Sequence, residues 1–416
     1  MSSGVVVTRF RAPKGTYDVL PPGSGWWRNA RNIFDELSAQ YGYDLVLTPM
    51  FEDTDVFVRG VGTDTEVVQK QMYTFEDKGG RSITLRPELT ASVVRAVIQA
   101  GGVQGRFKGA YWGEMFRYER PQKGRTRQFM QAGVEYLGSD SAEADVEVIE
   151  FGYRLLERLD VPDVEIRINS IGDPDDRAAY RSAISAYLLE RIDDLSDDSR
   201  KRVESNPMRV LDSKADEDVV AGAPVPLDYL GDGANAHFEQ VRAGLDRIDL
   251  GYLIDDKLVR GLDYYTRTVW EYIPKGYEAA QSSVGGGGRY DGLFELLGGR
   301  PTPAVGLAMG VDRILLASRA TDQESGLDAF VVVTDELLRP QARMLTSELR
   351  GAGLRIDMTD TQRSVKAQFK EADRRDALAA IVVGSEWADG EVTARNLDTG
   401  EQKVIPLKEI EGWLRA

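Results

Sequence analysis

Between Phe116 and Phe129 the chain reads Phe-Arg-Tyr-Glu-Arg-Pro-Gln-Lys-Gly-Arg-Thr-Arg-Gln-Phe, five cations and two turn-formers enclosed by segments that alternate like strands. Upstream, the stretch from Gly109 to Glu119 sets Tyr111, Gly113, Met115, Arg117 and Glu119 on one face. Downstream, Gln131, Gly133 and Glu135 share a face, because side chains two apart on a strand point the same way. The pattern commits this region to a hairpin with a basic tip and polar groups at its root. In a protein of formal net charge −16, such a concentration of positive charge is expected to meet phosphate. A solvated loop is the alternative that composition alone leaves open.

The chemistry available to the chain is narrow. Cysteine is absent, so disulfides, thiol nucleophiles and cysteine zinc sites are excluded. The single histidine, His237, is expected to be a surface or helix residue, and histidine triads and multi-histidine metal sites are excluded with it. Any reaction must run on Arg, Glu, Gln, Tyr and backbone groups. With 416 residues, 42% of them hydrophobic and 29% charged, two or three domains with a large core are expected. No apolar run approaches the ~20 residues of a membrane helix. The stretch from Met1 to Arg11 has no signal-peptide core, so a cytoplasmic location without membrane association is expected. The acidic balance argues against bulk nucleic-acid binding but leaves room for a local basic surface.

A turn-rich entry, Pro13 to Leu20, precedes an amphipathic helix from Trp26 to Tyr41, with Trp27, Ile33, Phe34 and Leu37 on its apolar side. Residues Val93 to Gln99 and Ala142 to Leu159 read as helices, the second opened by Ser141 as N-cap. From about Asp173 to Leu250 the composition turns Asp- and Ala-rich, which suggests an inserted helical subdomain. Strand character returns from Leu258 to Tyr272, and Thr321 to Gly326 is the best linker. Beyond it, strands at Phe330–Val333, Leu354–Asp357 and Ala380–Val383 alternate with helices at Pro340–Leu349 and Val365–Arg375. That alternation implies a small α/β domain with a largely parallel sheet. The expected division is 1–325, including an insertion at 173–250, followed by 326–416.

Four further blocks carry candidate chemistry. In Arg86-Pro87-Glu88-Leu89-Thr90, Glu88 and Thr90 could bind an ammonium group, or cap the helix that follows. Arg260-Gly261-Leu262-Asp263-Tyr264-Tyr265 runs on to Trp270-Glu271 and sets two tyrosines beside an Arg-Gly pair; an edge strand with aromatic pairs is its plainer reading. Val284 to Gly292 contains four consecutive glycines. It is neither a phosphate-binding loop nor a dinucleotide fingerprint, and alone it reads as a tight bend. Ala304 to Ile314 reads as a strand running into a helix that carries Arg313. In the last domain, Arg363, Lys366 and Lys370 cluster near one side of a helix start, as a solvated face or a contact surface.

Together these blocks resemble the histidyl-tRNA synthetases, from about Phe10 to the C-terminus. Phe116 to Glu135 is similar to motif 2 of class II aminoacyl-tRNA synthetases, with Met130 where many members have histidine. Arg86 to Thr90 resembles the family's RPE element, with Leu89 in place of the commoner glycine. Arg260 to Glu271, Gly287 to Leu293 and Ala304 to Ile314 are similar to three further family segments, the last being motif 3.

The resemblance implies an α+β class II catalytic domain with an antiparallel sheet, a helical insertion and a C-terminal anticodon-binding domain. It implies a homodimer whose interface uses Trp26 to Ala39 and Gly42 to Glu52. The implied activity is ATP-dependent activation of L-histidine and its transfer to tRNA(His), with Mg²⁺ on the phosphates. By carry-over, Arg117 and Arg313 would hold ATP phosphates, with Arg125 as a further candidate, and Arg260 would bridge carboxylate and α-phosphate. Glu135 and Tyr265, with Tyr264 beside them, would meet the imidazole. Glu88, Thr90 and Gln131 would bind the α-ammonium, and Arg363, Lys366 and Lys370 would contact tRNA. Two alternatives stay open at this point: a histidine-binding regulatory paralogue of histidine biosynthesis, and a pseudo-synthetase module that senses uncharged tRNA.

Overall fold

The computed structural model describes residues 10–63, 65–203, 207–259, 261–276, 283–320 and 326–415. They form two compact units. One comprises the described residues of Met1–Asp18 and Asn29–Ala320, the other those of Val19–Arg28 and Thr321–Ala416.

The first unit is built on an eight-stranded sheet. Its strand order is Asp44–Leu45, Phe107–Phe116, Gln128–Leu137, Ala304–Gly310, Gly285–Arg289, Thr266–Pro274, Val164–Ser170 and Leu253–Ile254. The six inner strands pair antiparallel throughout, and the two-residue strands at either edge pair parallel. Alternation along the strands separates two faces. Trp112, Trp270 and Tyr272 point to a layer formed by the helices Ala142–Arg158 and Asp232–Arg247. There the Tyr272 hydroxyl donates to the Ile149 carbonyl at 2.7 Å, and the Phe34 ring of the N-terminal helix Ser24–Gln40 sits 5.6 Å from Trp112 and 6.0 Å from Phe151. Tyr111, Met115, Val269 and Tyr290 join a core on the other side with Val93, Val94 and Val97 of the helix Thr90–Gln99 and with Leu89 just before it.

Local sequence accounts for these elements. Ser141 caps Ala142–Arg158 by accepting from the Glu143 amide at 3.2 Å, while Glu143 and Asp145 in the first turn and Arg158 in the last complement the helix dipole. In the N-terminal helix the buried aromatic of the tryptophan pair is Trp26, and Trp27 and Ile33 are only half-buried. His237 lies on the helix Asp232–Arg247, buried, with Nε2 3.3 Å from Asp145 Oδ1. The stretch 173–250 is largely helical. Asp173 and Asp176 form a capping box at the start of Pro174–Leu189, and Tyr180, Ile184 and Leu188, four apart, centre a small core of their own with Leu195, Val203 and Val210.

The second unit has a five-stranded sheet in the order Ile356–Met358, Ala329–Val333, Ala379–Val383, Glu391–Asn396, Gln402–Pro406. Its first three strands are parallel, and the last two add an antiparallel hairpin, so the sheet is mixed. Arg363, Lys366 and Lys370 are exposed around the start of the helix Val365–Arg374. Ser364 caps that helix, and the buried Gln368 fixes it to the strand Ala329–Val333 by exchanging hydrogen bonds with both backbone groups of Val333. No helix among the described residues is long and apolar enough to cross a membrane.

Candidate active site

A cavity of about 380 Å³ opens in the first unit. Four neighbouring strands line it with Phe129 and Gln131, Glu271, Gly285, and Ala308 and Gly310. Glu271 stands between Trp270 and Tyr272, so alternation sends it away from the helical layer and into the cavity. The lining also includes Glu88, Thr90, Arg117, Glu119, Arg125, Tyr264, Tyr265, Asp312 and Arg313.

The hairpin forms, but its first strand ends at Phe116, so Arg117 and Glu119 leave the sheet and stand on the tip and not on a strand face. Phe107–Phe116 pairs with Gln128–Leu137, with Gly113 opposite Gln131 and Tyr111 opposite Gly133. At the tip, Gln122 and Arg125 exchange backbone hydrogen bonds around Gly124, whose φ of +71° favours glycine. Two of the tip cations are held. Arg125 pairs with Glu119, and Arg127 stacks 3.8 Å from the Tyr118 ring centroid while its amide donates to the Gly15 carbonyl. Arg117 donates from Nε to the Pro87 carbonyl at 2.9 Å, with its guanidinium 5.3 Å from the Phe129 ring centre. Arg313 donates to the carbonyls of Gly124 at 3.0 Å and Ser283 at 3.1 Å. Beside it, Asp312 accepts from the Met130 amide at 2.9 Å and from the Tyr17 hydroxyl. Burial pushes both Asp312 and Tyr17 above their ordinary ranges.

A second cluster is carboxylate-centred. Glu88 accepts from the amides of Thr90 at 2.8 Å and Ala91 at 2.9 Å, so it caps the helix and lines the cavity at once. Burial raises its pKa against the lowering effect of those two amides. Thr90 donates its hydroxyl proton to Glu135 at 2.7 Å. The other Glu135 oxygen accepts from Tyr290. Glu135 is fully buried and lies behind the lining, beneath Thr90, and burial pushes its carboxyl up to about 8. Gln131 Oε1 is a buried acceptor with no hydrogen-bond partner among the described residues. Leaving such an atom unpaired costs about 1–3 kcal/mol, which a ligand donor such as an ammonium group would recover. The Tyr264 and Tyr265 rings lie 4.6 Å apart, and Tyr290 is 5.5 Å from Tyr264.

Glycines create the room for this arrangement. The four-glycine run is an extended strand at the sheet's centre and not a bend. Of it, only Gly285 lines the cavity. A Cβ on Gly288 would fall 2.6 Å from the Tyr265 ring, and one on Gly287 2.5 Å from Trp270. At Gly306 a Cβ would lie 1.7 Å from Glu135 Oε2 and 2.8 Å from the Val134 carbonyl. Gly306→Ala is therefore expected to lower unfolding free energy by more than about 2 kcal/mol, read as a lower urea midpoint, because strand backbone and a buried carboxyl must both shift.

Three comparisons with known proteins bear on this chain. The family model described as Histidyl-tRNA synthetase matches residues 15–314, and the one described as Anticodon binding domain matches residues 328–416. The chain belongs to the histidyl-tRNA synthetase family. Among its relatives, the histidine–tRNA ligase of Geobacillus kaustophilus is 43% identical over 417 residues, covering 97% of this chain and 98% of the relative. That of Fervidobacterium nodosum is 44% identical, covering 94% and 95%. The crystal structure of apo S. aureus histidyl-tRNA synthetase superposes with a TM-score of 0.80 at 36% identity, covering 98% of this chain and all of that one. The class II synthetase fold, with its separate anticodon-binding domain, follows from that membership. Histidine–tRNA ligase identity at full coverage, with the anticodon match, favours the ligase over a regulatory paralogue.

Of the residues singled out in the sequence, Glu88, Thr90, Arg117, Arg125, Gln131, Tyr264, Tyr265 and Arg313 converge on this cavity. Glu135 stands behind it, and Arg260 lies outside the described residues. Tyr264 and Tyr265 sit on the loop before the strand Thr266–Pro274, not within a strand. Sequence reading missed Glu271 and Asp312 as lining residues and Tyr290 as the partner of Glu135. The signal for Glu271 was present, a charge between two large aromatics on an alternating strand.

Proposed function

We propose that this cavity binds L-histidine beside ATP, forms histidyl-adenylate with release of pyrophosphate, and then transfers histidine to the 3′ end of tRNA(His). The observation that carries the reading is the joining, in one cavity, of three arginines with the carboxylate and amide acceptors of an amino-acid site. A histidine carboxylate oxygen attacks the α-phosphorus, and the bond to the bridging oxygen breaks as pyrophosphate leaves with the electron pair. In the second step a ribose hydroxyl of the terminal adenosine attacks the acyl carbon and AMP leaves. Such transfers are catalysed mainly by alignment and by cations placed where negative charge develops. Arg117 and Arg313 take the phosphates, their planar forks matching phosphate oxygens in pairs, with Arg125 at the mobile end of the triphosphate and Arg260 between carboxylate and α-phosphate. Gln131, Glu88 and Thr90 receive the ammonium, and Tyr265 and Tyr264 receive the imidazole at the cavity wall. Glu135 accepts from a ring nitrogen once the imidazole is seated past Thr90, a free lone pair remaining on each oxygen that Thr90 and Tyr290 hold.

Among the described residues no group of three or more ligating side chains could cage a metal. The cavity carboxylates Glu119 and Glu271 fit the one or two protein ligands that Mg²⁺ takes when phosphates and water supply the rest. Bound there, the ion would offset charge on the β- and γ-phosphates. Catalysis is assigned to residues 1–325, with 173–250 as insertion, and tRNA contact through Arg363, Lys366 and Lys370 to 326–416. Exposed Leu45, Leu47, Met50 and Phe51 support a homodimer through the segment Gly42 to Glu52, with Trp26 to Ala39 beside it. The enzyme works in the cytoplasm.

The test is amino-acid-dependent ATP–pyrophosphate exchange against all twenty amino acids. Exchange with histidine alone is expected. No exchange with any amino acid from folded protein would move the reading to a histidine-binding regulator or a tRNA sensor.

A further inference from the structure

The loop Gly261–Tyr265, which supplies Gly261, Leu262, Tyr264 and Tyr265 to the cavity, is held from outside the cavity by the insertion. Arg177, on the first helix of the insertion, Pro174–Leu189, does not line the cavity. Its Nη1 donates to the Tyr265 carbonyl at 2.9 Å and to the Asp263 carbonyl at 3.2 Å. Burial draws the guanidinium below its ordinary pKa, so the group is partly desolvated while it serves two main-chain acceptors. The root of the same helix is fixed to the strand that continues the loop. Asp173 accepts from Arg267 through both oxygens, at 2.7 and 3.0 Å, and the Arg267 amide donates to the Gly172 carbonyl. Arg267 has a φ of +49°, a conformation that non-glycine residues hold only where their surroundings impose it. On its other flank the loop is met by the Asp263 amide donating to the Val61 carbonyl at 3.2 Å, beside Gly62, where a Cβ would meet Asp263 at 2.5 Å.

We infer that Arg177 is a positioning residue for histidine recognition, a clamp by which the insertion fixes the height of the Tyr264–Tyr265 pair over the amino-acid pocket. The inference rests on the proposed assignment of those tyrosines to the imidazole. A carbonyl pair gripped by one guanidinium orients the peptide planes on either side of the Tyr264–Tyr265 pair. The Tyr265 ring is then seated against the bare Gly288 backbone and the Tyr264 ring against Tyr290. Losing the clamp frees the loop without removing any group that touches ligand. The cost falls on histidine binding and not on the arginines about the hairpin tip, which other contacts hold.

Arg177→Met keeps the stem and deletes the donors, and Arg177→Lys keeps one charge able to reach one carbonyl at a time. Exchange kinetics on the full-length protein should show the histidine KM of Arg177→Met raised about tenfold, the loss expected of one charge-assisted hydrogen bond. Its ATP KM should stay within about twofold, and Arg177→Lys should fall between it and the parent. Tyr187→Phe, which removes a hydroxyl bond to the Val219 carbonyl from the same helix, should leave both KM values in place. Calorimetric titration of histidine without ATP reads the same loss apart from turnover. A histidine affinity unchanged in Arg177→Met or Arg177→Lys overturns the inference, as does an equal rise in both KM values. If the parent protein binds no histidine, the functional reading itself fails, and the clamp with it.

Discussion

Glu135→Gln is expected to lose histidine-dependent pyrophosphate exchange by about 10²–10³-fold while folding normally, since a desolvated charge-assisted bond and a mismatched partner are lost together. Glutamine matches the shape of the carboxyl group, and Thr90 can still donate to the remaining oxygen, so the network survives in outline. Its amide cannot share a proton with a ring nitrogen. The pH behaviour has a definite sign. Folding pushes the Glu135 carboxyl up from 4.5 to about 8, so its contribution to stability is fully present below the lower value and is lost as pH rises through the upper one. Glu88, also raised by burial, acts in the same direction. The urea midpoint of the parent should therefore fall between pH 5 and pH 8, and that of Glu135→Gln should fall less steeply. Histidine KM should be lowest between about pH 6.5 and pH 8. In that window the free ring is neutral and the carboxyl already holds the one proton the pair shares; below it a proton must be shed, and above it one must be taken up. Parent-like exchange in a folded Glu135→Gln protein would remove Glu135 from the imidazole site.

The hairpin was legible because its signal is local. Period-two alternation on both sides of a basic turn fixes two strands, and the shared face of Gly113, Gln131 and Gly133 follows from counting alone. Depth was not legible. Alternation places Gln131 and Glu135 on one face, but only the partners Thr90 and Tyr290, 45 and 155 positions away in sequence, decide that one lines the cavity and the other lies beneath it. The glycine run misled for a related reason. Four glycines in isolation describe a flexible bend. In the sheet they are straight, because the Tyr265 and Trp270 rings fill the volume where their side chains would stand. In the second unit the three parallel strands announce themselves as short apolar runs. The closing hairpin, Glu391–Asn396 with Gln402–Pro406, is half-polar and carries a weaker pattern, although Asp398-Thr399-Gly400 marks its turn.

The other large effect is expected at Arg313. Arg313→Ala should reduce the exchange rate by about 10²–10³-fold at saturating substrates, the usual loss when one fixed donor to a developing charge is removed. Histidine affinity, measured by calorimetry without ATP, should stay within about twofold. The split follows from position. Arg313 stands at the start of the helix Val311–Ala317, one turn from Gly310, and two of its donors are committed to the carbonyls of Gly124 and Ser283. Those bonds aim the guanidinium and tie the hairpin tip to it, so the cation is placed before substrate arrives and no reorganisation is needed as pyrophosphate departs. Arg313→Lys restores the charge but not the fork, and a flexible ammonium cannot hold Gly124 and a phosphate together. Its rate should therefore lie much closer to that of Arg313→Ala than to the parent. Arg117 offers the contrast. It sits between the Pro87 carbonyl and the Phe129 ring, close enough to Glu88 to offset part of the rise that burial gives that carboxyl, so Arg117→Ala should weaken histidine and ATP alike. A full rate for Arg313→Lys would reduce Arg313 to a point charge and leave the alignment of the phosphates to Arg117 and Arg125.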